Sequence, residues 1–523
     1  MKKETEVMHW ADQAAEQIIR RNPGKKEYVV ATGATPSGTL HIGNFREFIM
    51  GDFIAKALKH QGKNATHYHY WDDYDVFRKV PVNMPKADVL KKHLRQALVN
   101  VPDVVDDKHK NYAEHCEEEF EKLLPIVGLS PTIIRNSEQY MKCVLAEQIK
   151  VALENTDKIK DILNKFRREN IKEGWLPISI YDEETGFEAE EMEYVGGYEA
   201  RYKDQKGEWK SFDFRKKGLL KLKYRIQVPA FWDYKGVDFE SAGKDHYVAG
   251  GVFATAALMA KEVYGIEKAL GFGFGWIGIK GGKQFSSSKG IIFTLKDVLE
   301  VYEPSIVRYI FAGSRPAAEF AISFDLDVLK VYEDFDKCER IYFKEEKAEE
   351  KDFEKQKRIY ELSSVDVPKK MPFQPGFRHL TTVLQVYEKD VKKAAEFFEE
   401  FLKTKEDKER FDVKCKCVLN WLEKYAPEEF KFSVQEKVAE GLNLDKKQKD
   451  ALHKAAEVLK GKVKDDKELH ERFYDICKEL DLKVGEFFKA AYLVLINKER
   501  GPRLASFILT LGKKRVVELF GKV

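Results

Sequence analysis

Three short stretches hold the residues whose types and spacing could do chemistry. The first is Thr32-Gly-Ala-Thr-Pro-Ser-Gly-Thr-Leu-His41-Ile-Gly-Asn44. Gly33, Gly38 and Gly43 let a backbone turn tightly and come close to a ligand, and His41 can donate a hydrogen bond to a phosphate oxygen. The second is Trp71-Asp72-Asp73-Tyr74-Asp75, whose acids could receive an ammonium group or a ribose hydroxyl. The third is Gly281-Gly-Lys-Gln-Phe285-Ser-Ser-Ser-Lys289-Gly290, three serines and a lysine between glycines. By itself that string reads as a linker. Placed after the His41 stretch in the chain, it reads as a donor-rich loop suited to a polyphosphate.

The elements around these stretches give them a common address. Tyr28-Val-Val-Ala31 is a short β-rich run. The residues after His41 carry Phe45, Phe48, Ile49, Ile54, Ala57 and Leu58 at three- and four-residue steps, and Thr66–Trp71 reads as the next strand. Strand, glycine-rich turn, helix, strand is a βαβ unit, so the turn lies at the carboxyl end of a parallel strand. The helix that follows offers unpaired N–H groups and the positive end of its dipole, which suits phosphate. The acids at 72–75 end the second strand and lie on the same rim.

Elsewhere, residues 7–21 read as an amphipathic opening helix, stopped by Asn22-Pro23-Gly24. From about 85 to 225 the α/β rhythm is lost. Residues 111–126 and 138–170 are helical by pattern, and Ile178 to Phe214 is β-like, with glycine turns and an acidic hairpin face at 182–193. The rhythm resumes at Leu219, with an apolar helix at 252–263 and a strand over Phe272–Ile279. Beyond 300 the chain is charge-rich and helical with no strand signal. Ser363 to Pro375, with its prolines, marks a linker. Lys498-Glu-Arg500-Gly-Pro502-Arg503 is a basic turn between two late helices, either a solvated face or a nucleic-acid contact.

At 523 residues the chain suggests three or four domains at ~150 residues each. Its net charge of +3 is nearly neutral, so any nucleic-acid contact must come from local basic patches. Six cysteines without a CxxC pair point to free thiols in a reducing compartment rather than a disulfide framework or zinc ribbon. No apolar run is long enough for a membrane span, and the first residues lack the apolar core of a secretion signal. The expectation is a cytoplasmic protein with no membrane partner.

Pro-Ser-Gly-Thr-Leu-His41-Ile-Gly-Asn44 resembles the HIGH signature of class I aminoacyl-tRNA synthetases, with asparagine for the second histidine. Further strings narrow the likeness to the class I lysyl-tRNA synthetases. They are His9-Trp10-Ala11, His41-Ile-Gly-Asn44-Phe-Arg-Glu, Trp71–Pro81, Val237-Asp-Phe-Glu, Ala242-Gly-Lys-Asp-His246, Gly278-Ile-Lys-Gly281, Arg315-Pro316, Asn420-Trp421…Lys424-Tyr-Ala-Pro427 and Lys498–Phe507. They run through nearly the whole chain.

The resemblance implies an α/β Rossmann-type catalytic domain in two halves (1–84 and 219–300), split by a mixed α+β insertion (85–218) that contacts the acceptor end. A helical stem-contact region (301–365) and an all-α C-terminal anticodon-binding domain (366–523) would follow. It implies activation of L-lysine by ATP and Mg²⁺, in the presence of tRNA, and transfer to tRNA(Lys) by a monomer. Catalysis would fall to His41 and Lys289. Pro36, Ser37, Gly38, His41, Gly43, Asn44, Ser286, Ser287, Ser288 and Lys289 would bind ATP. Gly33, Thr35, Asp73, Tyr224, Trp232 and His246 would line the lysine pocket, with the particular acid among those near Asp73 left open.

The chain departs from the family pattern in three places. Gln284-Phe285-Ser286 stands where the second signature begins Lys-Met-Ser, so Lys283 or Lys289 would have to replace the missing cation. Gln227-Val228-Pro229 stands for Asp-Trp-Pro. Of the zinc ligands many members carry in the insertion, Asp103, Asp107, His109 and His115 form at most a remnant, and no structural zinc is expected. Two other readings stay open at this point: a tRNA-binding paralogue with weak or no aminoacylation, and a glutamyl- or glutaminyl-type class I synthetase.

Overall fold

The opening helix, Trp10–Arg21, is capped by the His9 imidazole, which accepts from the Ala11 N–H (3.2 Å) and donates from its other nitrogen to the Ala312 carbonyl (2.9 Å). The βαβ unit forms as the pattern requires: strand Tyr28–Ala34, helix Ile42–His60 and strand Ala65–Trp71, the two strands parallel. The computed structural model describes residues 8–106, 108–280 and 292–523.

Thr132–Arg135 pairs in parallel outside Ala65–Trp71, and Phe239–Glu240 pairs in parallel on the other side of Tyr28–Ala34. The latter strand continues as Ala242–Gly243, which pairs in parallel with Gly273–Phe274. In space the strands therefore run third, second, first, fourth, fifth. That is a doubly wound sheet with its topological switch between the first and fourth strands, where ligands bind beyond the carboxyl ends. Helix Ile42–His60 lies against the sheet on one side and helices Trp10–Arg21 and Pro304–Ala312 on the other. This explains why Phe45, Phe48, Ile49, Phe53, Ile54 and Leu58 are all fully enclosed.

The sheet differs from the sequence reading in four ways. Thr132–Arg135 supplies a strand from inside the stretch where the α/β rhythm fades. It is a four-residue edge strand, too short to show a period. Leu220–Leu222 pairs antiparallel with Ile178–Ile180 rather than joining the parallel sheet, so the α/β pattern resumes with helix Tyr224–Lys235. The expected strand over 272–279 is broken into Gly273–Phe274 and Ile277–Lys280, because the Gly275 N–H turns aside to the Pro316 carbonyl (2.9 Å). Ile277–Lys280 then pairs in parallel with Phe320–Ser323, a strand that no sequence signal announced. The rest of the insertion matches its reading: short helices through 112–164, then an antiparallel sheet of Met192–Gly196, Glu199–Lys203 and Trp209–Asp213.

Past residue 324 the chain is helical. Buried residues from Phe377 to Ala426 are continuous with the core beneath the sheet, whereas Leu444 to Phe520 build a core of their own with Val386. Helix Lys405–Lys424 is bolted to the catalytic half. Trp421 donates from Nε1 to the Phe324 carbonyl (3.0 Å), Asn420 to the Glu300 carbonyl (3.0 Å), and Lys424 pairs with the Glu300 carboxylate (2.5 Å). The basic turn at 498–503 is in part structural, since Lys498 donates to the carbonyls of Glu428 (2.7 Å) and Lys431 (2.5 Å). All six cysteines are free thiols, and no helix among the described residues is long and apolar enough to cross a membrane.

A buried ion pair locks the long helix to its neighbours. Arg308, fully enclosed, pairs with Asp52 (2.6 Å) and donates to the carbonyls of Leu362 (2.8 and 3.0 Å) and Val127 (3.0 Å). Arg308→Met leaves Asp52 with only the Lys56 ammonium (3.3 Å) and strips the buried Leu362 and Val127 carbonyls of their donor, and should destabilise the protein by about 3 kcal/mol. The check is the urea unfolding midpoint. Adding Asp52→Asn to Arg308→Met should recover part of the loss.

Candidate active site

Everything at the site is hung on the first turn of helix Ile42–His60. His41 is its N-cap, and the Asn44 side chain reaches back to accept from the His41 backbone N–H (2.9 Å). The asparagine that replaces the second signature histidine thus closes the turn. The His41 ring lies over Gly43: a Cβ there would come within 2.7 Å of the imidazole, so only glycine leaves the ring where it is. The preceding loop is packed rather than loose. Tyr112 donates from its hydroxyl to the Ser37 carbonyl (3.0 Å), and Gly38 abuts the Pro81 ring, a Cβ there meeting it at 3.1 Å. The Ile42 N–H donates to the Phe293 carbonyl (2.7 Å) and the Asn44 N–H to the His41 carbonyl (2.9 Å), so what the helix start offers beside the His41 ring is the Gly43 N–H and the positive end of the dipole.

Beside it, at the switch between the first and fourth strands, is a pocket of about 290 Å³. Gly33, Thr35, Tyr224 and His246, named above for a lysine pocket, line it with Asn44, named above for ATP, and with Glu47, Tyr70, Asp72, Asn136, Gln227 and Glu240. The acids fall into two groups. Asp72 is already neutralised: Lys221, itself buried, pairs with Asp72 (3.1 Å) and Asp75 (3.2 Å). Glu47 and Glu240 have no cationic partner among the described residues. Glu47 accepts the Gly33 N–H (2.9 Å), and Glu240 accepts the Trp232 indole N–H (2.5 Å). Enclosure by protein pushes Glu47 up to about 8, with the charge of Glu240 adding to it, and pushes Glu240 up to about 7. Two carboxyls with raised pKa values facing one small cavity make a seat for an organic cation. The Tyr70 hydroxyl, Asn136 Oδ1 and His246 Nδ1 are buried there without hydrogen-bond partners among the described residues, and so are open to a ligand's polar ends.

Two expected lysine-pocket residues take other places. Asp73 turns away from the cavity, its carboxylate accepting the Ser137 N–H (2.7 Å) and the Ser137 hydroxyl. Trp232 stands behind the pocket wall and acts through Glu240. Pro36, Ser37, Gly38, His41 and Gly43 form the turn beside the pocket rather than its lining. Ser286, Ser287, Ser288 and Lys289 lie outside the described residues. Gln227 faces the cavity and accepts from the Tyr140 hydroxyl (2.8 Å), while Val228 also lines the wall. Glu47 and Glu240 are the residues sequence reading left without a role. The signal was present, since both end strings noted above, Asn44-Phe-Arg-Glu47 and Val237-Asp-Phe-Glu240.

A separate cluster bears on the expectation of no zinc. Asp107 lies outside the described residues, but Asp103, Asp106, His109 and His115 bring their ligand atoms within 4.8 Å of one another. Asp103 Oδ2 is buried without a hydrogen-bond partner, 3.4 Å from His109 and 3.3 Å from His115. Two carboxylates and two imidazoles suit a divalent cation, so these side chains are gathered as a set that could hold one. They stand apart from the pocket, and no step of its chemistry passes through them.

A family model described as tRNA synthetases class I (K) matches residues 8–366. The chain belongs to the class I lysyl-tRNA synthetases. An anticodon binding domain model matches residues 418–518, within the helical C-terminal part. Relatives align over nearly the full length of both chains. The lysine–tRNA ligase of Borreliella burgdorferi is 41% identical over 98% of this chain and 99% of its own. That of Treponema pallidum is 39% identical, covering 97% of each, and that of Pyrococcus horikoshii 38%, covering 98% and 99%. As a class I synthetase the protein uses ATP, and its Rossmann-type sheet and helical C-terminus are those of the class.

In a class I lysyl-tRNA synthetase carrying these acids, cation binding and stability should respond to pH in opposite directions. The carboxyls must ionise to hold an ammonium, so lysine affinity should fall as pH drops from about 8.5 to 6.5. In the empty protein the same groups keep protons that the unfolded chain has released. Their contribution therefore lowers stability as pH rises toward 8. Glu47→Gln should weaken lysine binding roughly 30-fold or more and flatten its pH dependence. The same variant should raise the ligand-free melting temperature at pH 8. Lysine titration and thermal melts across this range read both effects.

Proposed function

We propose that this chain is a lysine–tRNA ligase. It activates lysine with ATP and passes the lysyl group to the terminal adenosine of tRNA(Lys). The observation that carries the reading is the seat formed by Glu47 and Glu240, cation-free acids facing a lysine-sized cavity beside the His41 turn. Full-length similarity to lysine–tRNA ligases supports it.

In this reading the ε-ammonium of lysine sits between Glu47 and Glu240. Gly33, Thr35, Tyr224 and His246 enclose the rest, and Asn136 and Tyr70 meet its α-substituents. The carboxylate oxygen of lysine attacks the α-phosphorus of ATP, the bond to the bridging oxygen breaks, and pyrophosphate leaves. A hydroxyl of the terminal ribose then attacks the lysyl carbonyl, and AMP departs. Neither step needs a protein nucleophile. The protein holds the reactants in line and meets charge as it develops on the α-phosphate. His41 and the Gly43 N–H serve that charge, with Asn44 holding the turn closed; Ser286, Ser287, Ser288 and Lys289 would hold the pyrophosphate, where a bound Mg²⁺ would supply further positive charge. The insertion takes the acceptor end, and the helical C-terminal part reads the anticodon.

The non-charging paralogue rested on Gln284-Phe285 and Gln227-Val228. The second pair lines the cavity without filling it, and the relatives along the whole chain are ligases. A glutamyl- or glutaminyl-type enzyme is disfavoured by acids where a carboxylate or amide side chain would have to sit.

ATP–pyrophosphate exchange should proceed with lysine and not with glutamate, and should require tRNA. Brisk exchange with lysine alone counts against the tRNA requirement. His41→Ala should lower kcat by ~10²–10³, the cost of losing one donor to developing charge, with little change in lysine affinity.

A further inference from the structure

Just past helix Thr156–Asn164 the insertion carries Lys165-Phe-Arg-Arg168-Glu-Asn-Ile-Lys172, one aromatic ring among four cations and a single acid. Asn164 closes this run into a loop by accepting the Ile171 N–H (2.9 Å). Phe166 is 45% exposed, and apolar surface left in water is unfavourable unless something covers it. The cations around it are unused. Among the described residues Lys165, Arg167, Arg168 and Lys172 make no ion pair, and Arg167 makes only one long contact, from Nε to the Glu169 carbonyl (3.4 Å). The ring is nevertheless held in place. It rests on Gly250, whose φ is +74° and where a Cβ would come within 2.7 Å of the Phe166 side chain, so glycine is required there on both counts.

That contact puts Phe166 beside the wall of the lysine pocket. The Gly250 carbonyl accepts from Arg225 (2.7 Å), the residue after Tyr224, and Tyr224 lines the pocket with its ring centre 6.2 Å from that of His246. The chain also folds back from Gly250 to His246, since a Cβ on Gly251 would come within 2.5 Å of the His246 carbonyl oxygen. Phe166 is not part of the pocket lining itself. It stands next to the residues that are, with its cations, and neither the lysine seat nor the His41 turn uses it. For a ribose hydroxyl to attack the lysyl carbonyl, the terminal adenosine has to enter the pocket, and the unpaired nucleotides before it lie across the rim. Unpaired bases stack on aromatic rings and their phosphates seek cations, with little regard to sequence. A protein partner fits less well, because lysine is depleted from the cores of protein interfaces. We propose that Phe166 is the stacking surface for the unpaired base just before the terminal adenosine, with Arg167 and Arg168 on the adjoining phosphates. The ring is a positioning surface and takes no part in bond making. This deepens the ligase reading and rests on it.

The test uses the full-length enzyme and tRNA(Lys), either intact or with its last three nucleotides removed. The variants are Phe166→Ala, Phe166→Tyr and Arg167→Ala combined with Arg168→Ala. Loss of one stacked base predicts roughly tenfold weaker binding of intact tRNA by Phe166→Ala, little loss in Phe166→Tyr, and no change for the shortened tRNA. KM for tRNA should follow the affinity, while KM for lysine at saturating tRNA should not move. The arginine double variant should make the fall of affinity with salt less steep by about 1.4 on a log–log plot, and only for intact tRNA. Because these side chains are exposed, all three variants should melt with the parent. Unchanged binding of intact tRNA by Phe166→Ala would overturn the proposal and leave the ligase reading standing. So would an equal loss for intact and shortened tRNA, since the ring would then serve the paired stem or the fold. A rise in KM for lysine alone would overturn it too, by making the ring part of the amino-acid pocket. A parent enzyme that binds no tRNA(Lys) at all would remove the ligase reading itself, and this proposal with it.

Discussion

One helical turn holds the catalytic face together. From the start of helix Ile42–His60, Asn44 bonds back to the His41 backbone, and Glu47 bonds the Gly33 N–H at the end of the first strand. Between them Arg46, fully buried, donates to the carbonyls of Gly275 (2.5 Å), Pro316 (2.8 Å) and Ala318 (2.9 Å), with its guanidinium over the Phe320 ring. A buried cation is costly unless its donors are met, and here backbone carbonyls from two separate segments meet those of both terminal nitrogens, while Nε has no hydrogen-bond partner among the described residues. The His41 turn, the pocket carboxyl of Glu47 and the chain at Gly275 and Pro316 are thus tied to one helical turn. A shift of that turn would move all three at once.

The acids of the site divide by what neutralises them. Asp72 and Asp75 share Lys221, whose pKa the pair raises despite its burial. They belong to the scaffold and join the second strand to Leu220–Leu222. Among the described residues, Glu47 and Glu240 are held by neutral donors only. Burying carboxyls in this way costs stability in the empty protein, and a bound ammonium relieves it. The pocket's preference for a cation and its strain without one are the same electrostatic fact.

The helical half is joined to this core by charge as well as by packing. Lys414, with no exposed surface, lies among Glu303 (3.4 Å) and Asp336 (3.6 Å). Arg410 beside it pairs with Glu339 (2.7 Å) and Glu303 (3.2 Å). With the Asn420, Trp421 and Lys424 bonds, this fixes helix Lys405–Lys424 to the catalytic side. The helices from Leu444 onward keep a separate core.

Local pattern decided a good deal. The three- and four-residue spacing after His41, the turn glycines and the strand before them specify the βαβ unit. Together they place the phosphate turn at a strand's carboxyl end, because period and backbone freedom are properties of neighbouring residues. The alternating, glycine-punctuated run at 178–214 and the late amphipathic helices were legible for the same reason. Thr132–Arg135 and Phe320–Ser323 were not, since each is four residues long and exists only because a partner strand accepts its hydrogen bonds. The choice among the acids was only half legible: Glu47 and Glu240 end recognised strings, but nothing in those strings says which carboxyl goes unpaired. Asp72, Asp73, Asp75, Glu47 and Glu240 look alike as letters, and only folding sets Lys221 beside the first and third, Ser137 beside the second, and, among the described residues, no cation beside the last two. A carboxylate's role depends on the charges brought near it by distant parts of the chain, and that information belongs to the tertiary structure alone.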